Sequence, residues 1–385
     1  MWVTIGSAAI AFRLFSAVLA FLINVLLPDY QPEQFKGMWG AASPFWDTFT
    51  RYDSGWYYQI ARNGYAFVVG GPSVGVGKPG KIAYFPVYPF LMRSVGRLFG
   101  RAPSDVILGG IFVSWAAFVL GMIALYYLAR LDLSRPHARR AVLLAAVFPF
   151  AFFYGVVYSE STYLAFAVAS FYCFRTRHWL LGGVSGGLAA ATRPNGVLIV
   201  PALAWIAWRS AETNARDRTM ALLGLALVAG GLGAYSFYVY RLSGNPFEWA
   251  ASIQRWGYYP GGAPWLALLR LVRVLATHPY AYLAGERLAP YDTLNGLAAL
   301  LFVIATPFVW RRLGAPYGLF MLANLWLPLS SGQYEGLGRY CAVMFPFFIW
   351  AATIRSRVIF TCAVVCSAML YTLCLTLFTK IHPLF

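Results

Sequence analysis

The sequence predicts an all-α polytopic membrane protein, and three observations predict it. Hydrophobic residues make up 60% of the chain and charged residues only 11%, too few to cover a soluble domain of this length. Apolar runs of about 20 residues recur, the length a helix needs to cross the hydrocarbon core. The runs are continuous rather than alternating, which argues against a transmembrane β-barrel.

Taken in order, the first run, from Trp2 to Leu27, is too long for a signal-peptide core and lacks a small-residue cleavage site. It is expected to stay as an anchor. Spans are placed at roughly 3–27, 105–130, 141–158, 162–175, 179–192, 196–209, 219–241, 291–311, 316–330, 340–353 and 358–378, about eleven in all. Several are short for a full crossing and read as tilted or broken helices.

Short Arg-rich loops mark the cytoplasmic side. Arg130 to Arg140, Arg175 and Arg177, Arg209 to Arg218, Arg311 and Arg312, and Arg355 and Arg357 all fall on one face. The N-terminus is then inside and the C-terminus outside. The opposite face receives the long loops 28–104 and 242–290 and the turns near Ser159–Glu160, Arg193–Asn195 and Gly332–Arg339. No internal repeat is found, so residues 1–385 read as a single membrane-embedded domain.

The formal net charge is +17. On a soluble domain that would suggest nucleic acid. Here the basic residues sit at span ends and in loops, so no nucleic acid is expected. The expected partners are membrane lipids with anionic headgroups, or a lipid-phosphate substrate. The outer loops are themselves basic, with Lys78, Lys81, Arg93, Arg97, Arg101, Arg255, Arg270, Arg273 and Arg287. Cys173, Cys341, Cys362, Cys366 and Cys374 lie in or beside apolar runs without His or acid neighbours, and read as buried free thiols.

The first outer loop holds the densest chemistry. Trp46 to Tyr65, WDTFTRYDSGWYYQIARNGY, sets two acids, Asp47 and Asp53, and a base, Arg51, among Trp56, Tyr57 and other aromatics. Rings stack on the CH faces of a sugar, and carboxylates bind or deprotonate its hydroxyls. An interfacial amphipathic helix is the plainer reading, since Trp and Tyr favour the headgroup level anyway. Asp53 to Asn63 has helical spacing, with Gly64 as its C-cap. The Gly/Pro-rich GGPSVGVGKPG that follows is not a nucleotide-binding loop: Pro79 stands where Ser or Thr would hold magnesium. It reads as a flexible loop or lid. KIAYFPVYPFLMRSVGRLFG is a second interfacial helix, entered through Pro86 and Pro89, with Arg93 and Arg97 one turn apart. The second outer loop has a basic, aromatic cluster of its own, SIQRWGYYPGGAPW.

Later motifs each carry two readings. At Tyr158-Ser159-Glu160-Ser161, Ser159 is either an N-cap with Glu160 at the positive helix end, or Glu160 lines the same cavity as the first-loop acids. At Ala191-Thr192-Arg193-Pro194-Asn195-Gly196, Arg193 either snorkels from a tight turn or binds a phosphate. Arg339, in Gly338-Arg339-Tyr340, has the same choice. Arg13 lies inside the first span, where a charge is costly and often functional; the plainer reading is that it snorkels or pairs with a polar neighbour.

Together these motifs resemble the GPI mannosyltransferase 2 (PIG-V) family and its bacterial relatives. RYDSGWYYQIARNGY with AYFPVYPFLMR is similar to the family's first-loop signature. YSESTYLAF, ATRPNGVL and GRYCAVMFPFF resemble its later motifs, in the same order, and the resemblance runs from Asp47 to about Ile349. It implies a glycosyltransferase C-type fold with two membrane-parallel helices in the first outer loop. It also implies an enzyme that takes a sugar, mannose in this family, from a polyprenyl-phosphate donor on the non-cytoplasmic side. The catalytic acid carries over onto Asp53; Tyr52 stands where the family often has Trp, and Asp47 lies outside the matched motif. Chain length and Arg/Ala/Gly usage suggest a bacterial homologue, in the plasma membrane, acting on a lipid or glycan acceptor other than GPI.

The implied reaction is direct displacement at the anomeric carbon with inversion. Asp53 removes the acceptor proton, and arginines stabilise the leaving lipid phosphate. Arg193 and Arg339 are the first choices for that task, followed by Lys81 and Arg255; Asp47, Arg51, Trp56, Tyr57, Glu160 and Asn195 complete the expected substrate-binding set. The sequence offers no cluster of metal-ligand acids, so neither a metal nor another cofactor is expected. The rival reading is a transporter or flippase for lipid-linked sugars. Such proteins tend to show paired repeats and midplane polar residues. Here the polar residues gather at one face.

Overall fold

The computed structural model describes residues 1–30, 43–67, 80–210, 215–258, 262–279 and 290–384, and all regular structure among them is helical. The helices in chain order are α1 (Trp2–Leu26), α2 (Pro44–Asp47), α3 (Ser54–Asn63), α4 (Val87–Phe99), α5 (Pro103–Arg130), α6 (Arg135–Val147), α7 (Glu160–Arg175), α8 (Trp179–Ala190) and α9 (Val200–Ser210). There follow α10 (Ala215–Ser243), α11 (Glu248–Arg255), α12 (Trp265–Thr277), α13 (Pro290–Leu313), α14 (Ala315–Leu329), α15 (Leu337–Ala342), α16 (Phe345–Ala351) and α17 (Arg357–Thr379).

Among the described residues, α1, α5, α10, α13 and α17 are long and apolar enough to cross a membrane. The other six expected spans are shorter or interrupted, and prolines account for three interruptions. Pro149 follows α6 and hands the chain to a 3₁₀ turn at Ala151–Tyr154. Pro194 opens a second 3₁₀ turn, Pro194–Ile199, before α9. Pro346 sits in the first turn of α16, so the segment expected at 340–353 is two short helices.

The most enclosed long helix is α5, with half of its apolar window buried, against 22% for α10 and α17. It packs against α1, α4, α6 and α7. Glycine lets α4 lie tight on it: a Cβ on Gly109 of α5 would strike the backbone of Gly96 and Met92, and one on Gly96 would lie 2.8 Å from the carbonyl of Asp105. This fixes the loop between α1 and α5 to the bundle. Its two expected short helices are α3 and α4, and Gly64 caps α3 at φ 73°, donating to the carbonyl of Ile60 at 2.8 Å. The Gly/Pro-rich lid segment, with Lys78, and Arg287 lie outside the described residues.

Two expectations need correction. Cys173, Cys341 and Cys374 are buried, but Cys362 and Cys366 are exposed, because they face outward from α17. Ser159 does precede α7, but its side chain makes no cap; its hydroxyl instead meets the Tyr57 hydroxyl at 2.9 Å. Arg13 is buried inside the bundle rather than snorkelling. It donates to Ala151 O and to the Tyr371 hydroxyl, and its guanidinium lies 4.3 Å from the ring centre of Phe118.

Candidate active site

The site begins at a strained turn. Tyr52 has φ 49°, the left-handed region that residues with a Cβ rarely occupy. Its hydroxyl is tied to the carbonyl of His382 at 2.6 Å. The Tyr158 hydroxyl bridges the two ends of the turn, donating to Arg51 O at 3.3 Å and accepting from Asp53 N at 3.2 Å. The turn delivers Asp53 to the N-cap position of α3. Its carboxylate nevertheless makes no cap hydrogen bond.

Instead Asp53 reaches across the molecule. One oxygen accepts from Arg339 Nη1 at 2.6 Å, and the other accepts from the Tyr84 hydroxyl at 3.0 Å. Burial and the neighbouring Asp53 hold the Tyr84 phenol well above its usual range, so it donates to the carboxylate as a neutral hydroxyl. Arg339 continues the chain of charges. Its Nε lies 3.9 Å from Glu160 Oε1, and its guanidinium lies over the rings of Tyr158 and Phe153. Glu160 is almost wholly buried and pairs through the same oxygen with Arg193 Nη1 at 2.9 Å. Arg193 in turn lies 5.0 Å from the ring centre of Tyr340. So the two arginines are neither snorkelling nor unpaired: they alternate with two acids in one network.

The network is incompletely satisfied. Among the described residues, Glu160 Oε2, Arg339 Nε and Asn195 Oδ1 are buried without a hydrogen-bond partner, and Arg193 Nη1 meets Glu160 as a charge contact without hydrogen-bond geometry. A buried polar atom left in that state costs about 1–3 kcal/mol, and sugar or phosphate groups could supply the missing bonds. Asn195 uses its other end to donate to Asn324 Oδ1 at 2.7 Å.

An aromatic wall stands beside Asp53. Trp56 stacks on Tyr84 at 6.0 Å, and Trp256 meets Trp56 edge-on at 5.4 Å. Tyr57 packs against Tyr84, Tyr88 and Tyr158. Trp56 and Tyr57 were expected here. Tyr84, Tyr158 and Trp256 were not singled out as site residues, although the motifs AYFPVYPFLMR, YSESTYLAF and SIQRWGYYPGGAPW contain them. Glu335 was also missed. It lies exposed in the turn before α15, where partial desolvation raises its carboxyl above the ordinary range, opposed by Arg339.

The remaining expected residues lie elsewhere in the same region. Asp47 and Arg51 form a buried ion pair at 2.7 Å. Arg51 also donates to Thr379 O at 3.3 Å and to Asn24 Oδ1 at 3.3 Å, joining the ends of α1, α2 and α17. The ion pair of Lys380 with Asp29, at 2.7 Å, and the Lys380 bond to Asn24 O reinforce this latch. Lys81 opens the 3₁₀ turn Lys81–Ala83, which packs on α11, and Arg255 at the end of α11 pairs with Glu248. Among the described residues no group of three His, Cys, Asp or Glu side chains comes together as a metal-binding set.

Residues 78–231 match the family described as dolichyl-phosphate-mannose-protein mannosyltransferase. The match covers Glu160 and Arg193 but not Asp53 or Arg339. No curated protein is similar to the chain in sequence. Among solved structures, ArnT from Cupriavidus metallidurans bound to undecaprenyl phosphate superposes with a TM-score of 0.52 at 12% identity, over 98% of this chain and 77% of that one. The oligosaccharyltransferase of Archaeoglobus fulgidus in the apo form gives a TM-score of 0.49 at 10% identity, over 98% of this chain and 56% of that one. The chain thus spans about half the length of the archaeal oligosaccharyltransferase structures it resembles. The helical architecture shared with ArnT is a multi-pass membrane fold of the glycosyltransferase C type.

Proposed function

We propose that the protein is a membrane glycosyltransferase. It transfers a sugar, mannose in our reading, from a polyprenyl-phosphate donor to a lipid-linked or glycan acceptor on the non-cytoplasmic face, with inversion. The observation that carries this reading is the Asp53–Arg339–Glu160–Arg193 network beside the Trp56–Tyr84–Trp256 wall. The family match over residues 78–231 and the fold shared with ArnT, solved with undecaprenyl phosphate, support it.

In this mechanism Asp53 accepts the proton of the acceptor hydroxyl as that oxygen attacks the anomeric carbon. The bond from that carbon to the phosphate oxygen breaks, and the lipid phosphate leaves with the electron pair. Arg339 links the two events. In the free protein its Nη1 is held by Asp53. An incoming phosphate competes for the guanidinium, draws it from the carboxylate, and leaves Asp53 an open lone pair for the proton. Arg193, braced by Glu160, adds positive charge where negative charge grows. The unpartnered Glu160 Oε2 and Asn195 Oδ1 are acceptors suited to sugar hydroxyls. The aromatic wall excludes water and supports the sugar face.

The decisive test uses purified protein, a total lipid extract and radiolabelled polyprenyl-phosphate sugars. The expected result is a labelled lipid or glycan product whose mass exceeds that of its acceptor by one sugar, with mannose the preferred donor. Movement of intact donor across vesicles, with no new product, would favour a flippase instead.

A further inference from the structure

A second basic feature lies apart from this network. Arg62 on α3, Arg93 and Arg97 on α4, and Arg101 just beyond it line a cleft of about 520 Å³ floored by Ala61 and Val106. Asp53 precedes the first residue of α3 and Arg62 lies in its last turn, nine residues on, a separation of ~13 Å along a helix axis.

The four arginines outnumber the acids near them. Among the described residues none forms an ion pair. Arg62 donates to a neutral group, the Tyr58 hydroxyl, at 2.8 Å. Among the described residues the one nearby carboxylate, Asp105, accepts from Ala102 N at 2.8 Å and forms no ion pair with any of the four arginines, so it offsets at most one of the four charges. Arg93 and Arg97 are one helical turn apart, a spacing at which like charges repel. Nothing in the packing of α4 requires them, because its buried face is made by Tyr88, Pro89, Met92 and Gly96.

The helix that carries Arg93 and Arg97 also presents apolar side chains to the outside, and Phe99 adjoins Gly100 of the cleft lining. Phe90 is 68% exposed and Leu98 82% exposed on the same helix, and the exposed Phe99 packs on the exposed Phe112 of α5 at 5.0 Å. Guanidinium groups beside open aliphatic and aromatic surface fit a ligand with an anionic head and an apolar body.

We propose that this cleft binds the phosphate headgroup of an anionic amphiphile, as a site separate from the Asp53 network. If the protein is the glycosyltransferase proposed above, a phosphate bound here is not the donor's leaving group, which must lie at the reacting carbon beside Asp53. The cleft then receives the headgroup of an anionic membrane lipid that seats the loop carrying α3 and α4.

The test measures binding rather than turnover, so it stands or falls independently of the proposed activity. Full-length protein in neutral detergent is titrated against short-chain phosphatidic acid labelled on an acyl chain, and fluorescence anisotropy is read. The expected result is saturable binding that weakens with salt and is not displaced by unlabelled phosphatidylcholine. The Arg93→Gln/Arg97→Gln variant should lose at least about tenfold in affinity, and the corresponding double Lys variant should lose less. Arg339→Gln should keep wild-type affinity. Equal binding by the double Gln variant would overturn the proposal, as would loss in Arg339→Gln alone, which would move the probe to the Asp53 network. Equal displacement by phosphatidylcholine would reduce the effect to apolar partition. Displacement by inorganic phosphate at the same concentrations as the lipid would make the cleft a free-anion site and overturn the amphiphile.

Discussion

Arg339 Nη1 lies 2.6 Å from Asp53 Oδ2, and the two residues are 286 positions apart in the chain. The pair brings α15, near the end of the fold, to the N-terminus of α3 in the loop between α1 and α5. It also engages the carboxylate that helix position alone would have assigned to capping.

The first prediction follows from that geometry. Asp53→Asn should still fold and insert, with a modest loss of stability: the native carboxylate makes no cap bond and Asn is itself a good cap, while the Arg339 pair it gives up is partly exposed and Glu160 still faces that guanidinium. Turnover should fall by about 10²–10⁴, the usual worth of a general base. Product formation by the purified variant, set against its melting temperature, checks this. Near-normal turnover, with Glu160→Gln inactive even in the molecules that remain folded, would move the base to Glu160.

Glu160 and Arg193 should behave as a coupled pair. Removing one partner of a buried ion pair leaves an uncompensated charge and costs about 3–5 kcal/mol. Glu160→Gln and Arg193→Gln should therefore each destabilise strongly, while the double variant should be milder than the sum. A double-mutant cycle by thermal unfolding measures the coupling; strictly additive effects would mean that the contact contributes nothing.

At Arg339 the planar fork should matter as well as the charge. Arg339→Gln should weaken donor use strongly, with Lys restoring only part, since an ammonium cannot hold phosphate in a two-pronged contact. Steady-state kinetics against donor concentration reads this out. Unchanged donor dependence in both variants would leave Arg339 only a structural role.

Asp47 should report on stability. Its pairing with Arg51 lies in the latch that joins α1, α2 and α17. Asp47→Asn should cost about 3–5 kcal/mol, yet the molecules that remain folded should turn over at close to the native rate. A stable but inactive Asp47→Asn protein would return this residue to the substrate site.

Topology is testable with cysteine labels in a background free of native cysteines. Asn63 and Arg355 are both exposed. A membrane-impermeant thiol reagent should label Asn63→Cys in intact cells and should label Arg355→Cys only after permeabilisation. Labelling of both in intact cells would break the one-sided arrangement of the motifs.

Much of this protein is legible in its sequence because the signals are local. A long apolar run has few alternatives to a helix in lipid, so α1, α5, α10, α13 and α17 coincide with expected spans. The short helices α3 and α4 follow from spacing and from Gly64, Pro86 and Pro89. Asp53, Trp56 and Tyr57 stand out because chemistry-bearing residues are crowded into one loop.

What the sequence could not determine was which charges meet. Asp47 and Asp53 look alike in WDTFTRYD, yet one is closed into a latch with Arg51 and the other reaches Arg339. The left-handed backbone of Tyr52 lies between them, and no propensity announces it in a tyrosine. Likewise Arg193 and Arg339 could each have been snorkelling residues at span ends; both are instead paired with acids within the fold. A charge held away from water needs a partner, but the sequence carries no record of which partner it takes. That choice is made when helices distant in the chain pack together, so only the tertiary structure turned four scattered charges into one network.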